Sequence, residues 1–135
     1  ATTMMNPVVH FEMPYRDRDR AARFYAEAFG WKIDKLGPEM GNYAVVTTAE
    51  TDAKPGAPAG AINGGMFAFK SDWPAQYPSV VIAVEDMAAA MARVTKAGGE
   101  VLGEPMLIPG IGDYVAFFDT ERNRHSMLKP IPPQN

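Results

Sequence analysis

One pattern runs through this chain twice, and it constrains the fold more than any single motif. VVHFEM, from Val8 to Met13, alternates like a strand, and Pro14 ends it. Asp17 is placed to cap a helix N-terminus, with Asp19 in its positively polarised first turn. In RDRAARFYAEAF the apolar residues Ala21, Phe24, Tyr25, Ala28 and Phe29 recur at helical spacing, and Gly30 is the expected stop. WKIDKL, NYAVVTT and AINGGMFAF then read as strands, with GPEMG as a turn and TDAKPGAPAG (51–60) as a hairpin loop. Gly64–Gly65 within the last strand marks a bulge or a close backbone approach. After the connector KSDWPAQYP the series restarts. SVVIAV is a strand, and Asp86 a second N-cap. MAAAMARVTKA is a helix with apolar Met87, Ala90, Met91 and Val94, stopped at Gly98–Gly99. EVLGEP, GDYVAFFD and RHSML supply the remaining strands.

The halves can be laid on each other. Residues 17–33 match residues 86–102 without a gap, putting Asp17 on Asp86, Ala28 on Ala97 and Gly30 on Gly99. The turn GNYAVV (41–46) repeats as GDYVAF (112–117). Such duplication predicts architecture before any motif does. Each βαβββ unit leaves an apolar sheet face that its one helix cannot cover, so the units are expected to pair. The expectation is a single α+β domain over 1–135, with unit one at about 6–70, a connector at 71–78 and unit two at about 79–130.

Composition removes several classes of function. The chain has 135 residues, 47% apolar and 21% charged, which is globular composition with enough length for a core. A net charge of −3 lacks the basic stripe of a nucleic-acid binder. The absence of cysteine rules out disulfides, thiolate metal sites and cysteine nucleophiles, and fits a cytoplasmic setting. VVIAV and YVAFF are too short to span a bilayer, and ATTMMNP is not a signal peptide as it stands. No phosphate-binding loop or nucleophile elbow is present. The 9 methionines read as adaptable core filler.

VVHFEM leading into a helix that ends AEAFGWKI, then VVIAVEDMAAAMARVTKAGGEVL, then FFDTERNRHSML, resembles the vicinal oxygen chelate superfamily. This superfamily includes glyoxalase I, extradiol dioxygenases and the bleomycin- and fosfomycin-resistance proteins. The resemblance covers nearly the whole chain. It implies the glyoxalase/bleomycin resistance/dihydroxybiphenyl dioxygenase fold, in which the sheets curl into a half-barrel around a cleft, and a homodimer. Metal-dependent members place one ligand on the first and one on the last strand of each unit. The divalent metal then acts as a Lewis acid on substrate oxygens.

Carried over residue by residue, these positions fall on His10, Gly65, Ser79 and Ser126, the last because DTERNRHS matches the family's D-P-x-G-N-x-x-E. Only His10 is a good ligand. Asn63 is a poor substitute for a side chain at Gly65, and a serine hydroxyl binds metal weakly. A one-residue slip would bring His125 to the last position but would turn its strand over. Glu12 shares a strand face with His10, but a His-x-Glu pair lacks a third protein ligand. The metal site is therefore expected to be incomplete; a divalent metal is kept as the minor alternative, and no other cofactor is assigned.

His10 and Glu12 have two non-metal readings. In one they form a hydrogen-bonded polar pair lining a cleft, satisfied by Ser79, Ser126 or water. In the other, His10 is a general base that Glu12 orients. Tyr43 and Tyr114, at equivalent G-x-Y positions, either line the cleft and stack on a ligand or pack against the sheet. RDRDR (16–20) reads as a solvated helix face whose mixed charges cancel, with anion binding as the alternative. EPMLIPGIGD (104–113) is either a loop over the cleft or an ordinary connector. Two functions stand open at this point. One is a small-molecule binding protein of the bleomycin-resistance kind. The other is a lyase, isomerase or dioxygenase acting on a small oxygenated substrate through His10, either metal-dependent or with His10 as base.

Overall fold

The structure is a computed structural model and describes residues 5–49, 62–73 and 75–131. The elements are β1 (Val8–Tyr15), α1 (Arg18–Phe29), β2 (Lys32–Lys35), β3 (Ala44–Thr47), β4 (Asn63–Ala68), β5 (Ser79–Ala83), α2 (Met87–Lys96), β6 (Glu100–Ile108), β7 (Gly112–Phe118) and β8 (Arg124–Pro130). A short 3-10 helix, Pro38–Met40, lies between β2 and β3. The hairpin loop expected at 51–60 falls outside the described residues. No described helix is long and apolar enough to cross a membrane.

The chain divides into two compact units, residues 10–78 and residues 79–131 with residues 5–9. In the first, β2 pairs antiparallel with β3, β3 antiparallel with β4, and β4 parallel with β1. In the second, β6 pairs antiparallel with β7, β7 antiparallel with β8, and β8 parallel with β5. Order and sense are the same, so the class is α+β and the βαβββ plan is repeated. The boundary between units cuts β1, and the Ala83 N–H donates to the Pro7 carbonyl at 2.9 Å within the second unit.

Both helices start as the sequence indicates. The Asp17 carboxylate accepts from the Arg20 amide at 3.1 Å, and the Asp86 carboxylate from the Ala89 amide at 3.0 Å. Each cap stabilises its helix by about 1 kcal/mol. They end differently from the ungapped overlay. Gly30 closes α1 with φ 71°, but the left-handed residue after α2 is Gly98, with φ 102°, not Gly99. Strand register agrees, because Lys32 lies opposite Thr47 while Glu100 lies opposite Phe118. The second repeat is one residue shorter across this helix end, a deletion that low identity hides.

Side chains on the helix-facing side of each sheet form its core. In the first unit Ala44, Val46 and Met66 are buried, with Phe11, Met13, Tyr15, Tyr25 and Trp31 packed on them. In the second the buried set is Val84, Met87, Ala90, Val115, Phe117 and Met127. Phe11, Met13 and Tyr15 belong to that core, so the alternation of β1 turns His10 and Glu12 to the opposite face. Gly64–Gly65 is a close approach rather than a bulge. The β1–β4 ladder runs through both glycines without a register break, and a Cβ on Gly64 would stand 2.5 Å from the Phe11 carbonyl oxygen.

Candidate functional site: a histidine–tyrosine–glutamate chain

Three half-buried side chains of the first unit converge. β1 carries His10 and Glu12, and Tyr43 immediately precedes β3. The Tyr43 hydroxyl donates to Glu12 Oε2 at 2.8 Å and lies 3.3 Å from His10 Nε2. With its proton directed at the carboxylate, that hydroxyl accepts from the imidazole. This fixes the proton of neutral His10 on Nε2 and leaves Nδ1 as the basic nitrogen. Burial lowers the pKa of His10 from its ordinary 6.5, and the nearby Glu12 charge opposes that shift. The neutral imidazole is thus the favoured form here.

Gly65 makes this arrangement possible. It lies opposite Glu12 on β1 and opposite Val45 on β3. A Cβ on Gly65 would collide with the Tyr43 hydroxyl and ring, so the phenol occupies the space a residue-65 side chain would need. Where metal-dependent relatives are expected to offer a ligand from the last strand of this unit, the chain offers a phenol from the turn before β3.

The turn that delivers Tyr43 is clamped from β1 and α1. Arg18 Nη1 donates to the carbonyls of Leu36 at 2.6 Å and Asn42 at 2.9 Å. The Tyr15 hydroxyl donates to the same Asn42 carbonyl at 2.6 Å. Asn42 itself has φ 57°, a left-handed conformation that Asn tolerates. Arg18 was expected on a solvated face with the rest of RDRDR. It is instead half-buried and directed into the turn. Alternating charge does not reveal which arginine of such a run folds inward.

In the second unit the Tyr114 and Ser126 hydroxyls are 2.5 Å apart, and Ser126 is buried. The strand register of the two units can be compared position by position. Gly65 pairs with Glu12 as Ser126 pairs with Val81, which makes His10 the counterpart of Ser79, at the start of β5. Tyr43 and Tyr114 are also counterparts, each with its hydroxyl at the last-strand position of its own unit. His125 is not slipped into that position. Its Nδ1 accepts from the Val80 amide at 3.2 Å, while Ser126 faces Val81 and Ala116.

A divalent metal does not fit the donors gathered here. In the first unit it would have to displace the phenol from His10 Nε2 and Glu12. In the second, Ser126 is engaged by Tyr114. Among the described residues no group of three or more His, Cys, Asp or Glu side chains could hold a metal ion.

Comparison with known proteins agrees with the fold. A family model described as bleomycin resistance protein-like N-terminal matches residues 8–49. A glyoxylase-like domain-containing protein of Didymella fabae is 31% identical over 121 residues, covering 86% of this chain and 88% of that protein. CFP32 of Mycobacterium bovis, which carries a glyoxylase name, is 32% identical over 117 residues, and the match spans 86% of this chain but 41% of that protein. Among solved structures, a Streptomyces coelicolor methylmalonyl-CoA epimerase with 2-nitronate-propionyl-CoA superposes with a TM-score of 0.69 at 15% identity, covering 98% of this chain and 99% of that one. The methylmalonyl-CoA epimerase of Mycobacterium tuberculosis gives 0.65 at 15% identity, covering 93% and 88%. At such identity the structures speak for the fold alone. Joined to the repeated βαβββ units, the sequence relatives establish that the chain belongs to the vicinal oxygen chelate superfamily, among its glyoxalase- and bleomycin-resistance-like members.

Proposed function

We propose that this protein binds a small oxygenated molecule against the His10–Tyr43–Glu12 chain, as a homodimer and without a metal. One observation carries the reading: the Tyr43 phenol fills the place of the absent residue-65 side chain and is bonded to both neighbours. The chain presents a basic nitrogen at His10 Nδ1, able to accept a hydroxyl or acid proton from a ligand. The metal-dependent lyase, isomerase or dioxygenase alternative needs ligands that Gly65, Ser79 and Ser126 do not supply.

The test is a thermal-shift screen of small hydroxy, keto and carboxylic compounds, with and without EDTA, alongside zinc, nickel, manganese and iron(II). The expected result is a stabilising compound whose effect survives EDTA and disappears in His10→Ala and Tyr43→Phe. Stoichiometric metal in protein purified without chelator, lost in His10→Ala, would reinstate the metalloenzyme.

A further inference from the structure

The two units differ at one place where the repeat predicts sameness. In the first, Arg18, directly after the Asp17 cap, reaches from α1 to the turn between β2 and β3 and donates to the carbonyls of Leu36 and Asn42. Its neighbour Asp19 holds Lys35 of β2 at 2.5 Å. Helix and hairpin are therefore joined by two cations, one from each side. In the second unit the residue directly after the Asp86 cap is Met87, followed by Ala88, and the counterpart of Asn42 in the G-x-Y turn is Asp113. Among the described residues no cation bridges α2 to the hairpin of β6 and β7. The space is a groove of about 450 Å³ lined by Met87, Ala88, Met91, Glu104, Pro105 and Asp113.

The groove has a definite chemical character. Met87 is buried in the core, and Met91 packs against it, giving an apolar floor. β6 breaks register between Leu102 and Met106, where Gly103 adopts φ 86°, and this bulge sets Glu104 and Pro105 along one wall. Asp113 of β7, half-buried, lines it from the same hairpin and lies opposite Lys129 of β8 in the strand register. Among the described residues neither Glu104 nor Asp113 has an ion-pair partner. The hairpin side has gained carboxylates while the helix side has lost its guanidinium.

We infer that this groove is a binding site for a small organic cation, a guanidinium or primary ammonium on a short apolar body. The cation stands where Arg18 stands in the first repeat, and its apolar body lies on Met87 and Met91. Both halves of the complementarity are present. The volume lies within the range of small-ligand sites, and methionine adapts to varied apolar shapes. A charged head beside two carboxylates adds direction. The site uses no residue of the His10–Tyr43–Glu12 chain.

The test is an amide NMR titration of the whole protein with n-butylguanidinium, with n-butanol and sodium chloride as controls for the apolar body and for ionic strength. Expected are saturable shifts centred on Met87, Ala88 and Asp113, with a Kd in the millimolar range typical of one partly exposed ion pair (roughly 1–10 mM). Glu104→Gln and Asp113→Asn are each expected to weaken binding about fivefold. Glu104 is exposed, so its variant folds whatever happens to Asp113. Absence of saturable shifts in the wild type, equal shifts with n-butanol, or undiminished binding in Glu104→Gln would overturn the site.

Discussion

At the scale of single residues, His10 makes stability depend on pH. Its folded pKa lies below the unfolded value of 6.5, so near and below that value the unfolded chain binds the proton more readily. His10 therefore costs nothing well above pH 6.5. Stability falls as pH drops through 6.5 toward the folded pKa, and this contribution levels off below it. Urea unfolding between pH 5 and 8 is expected to show a decline that His10→Gln flattens. An unchanged slope in that variant would remove His10 as the cause. Gly65 offers a second test. Gly65→Ala forces Tyr43 aside and should cost about 1–3 kcal/mol, the usual range for overpacking. The same change in a Tyr43→Ala background should cost clearly less, giving a coupling measurable in a double-mutant cycle.

Elements explain how those residues are delivered. The alternation of β1 sorts Phe11, Met13 and Tyr15 to the core and His10 and Glu12 to the other face, and this was legible from VVHFEM. Helix caps and stops were legible too, and only the overlay of Gly30 on Gly99 is one residue off, because Gly98 is the positive-φ residue after α2. The delivery of Tyr43 was not, because it depends on hydrogen bonds from Arg18 and Tyr15 to carbonyls 18 to 27 positions along the chain. Removing the guanidinium in Arg18→Met should destabilise by about 1–3 kcal/mol, the cost of hydrogen bonds from a charged donor. It should also shift the His10 ring signal toward its position in Tyr43→Phe. With 2 histidines in the chain, His10→Gln assigns that signal. A destabilised variant with an unmoved His10 signal would reduce Arg18 to a general structural part. Arg122 illustrates the same limit. It holds φ 66° where the family's closing turn has glycine. Its guanidinium lies 4.1 Å from the centre of the Phe118 ring, and Asp119 accepts from the Glu121 and Asn123 amides. The side-chain amide of Asn123, which donates to the other carboxylate oxygen at 2.9 Å, is the main cause that holds the Asp119 carboxyl below its usual pKa, with the backbone N–H groups of Asn123 and Glu121 adding to it.

At the scale of the whole molecule the duplication is the governing fact. One plan is used twice, and each copy has been specialised differently within the same strand order. In the first, cations from the chain itself join helix to hairpin. In the second, that place is a groove with an acidic rim. The N-terminal segment joins the second unit through the Pro7 carbonyl. Removing residues 1–7 should accelerate amide exchange at Ala83 while leaving the amides of β3 and β4 protected. Equal acceleration in both would show that the segment stabilises the chain as a whole.

The sequence by itself determined the α+β class, the repeated βαβββ order, the superfamily and the shared face of His10 and Glu12. These follow from local periodicity, caps and turn residues, which act over a few positions and leave their mark in the letters. It also located the gap at Gly65. Only the tertiary structure decided what fills that gap, which arginine turns inward, and what surrounds the place in the second repeat where the first one's guanidinium is missing. Each of these depends on side chains from distant segments competing for one volume. That competition is settled by packing and hydrogen-bond geometry, not by any residue's own preference.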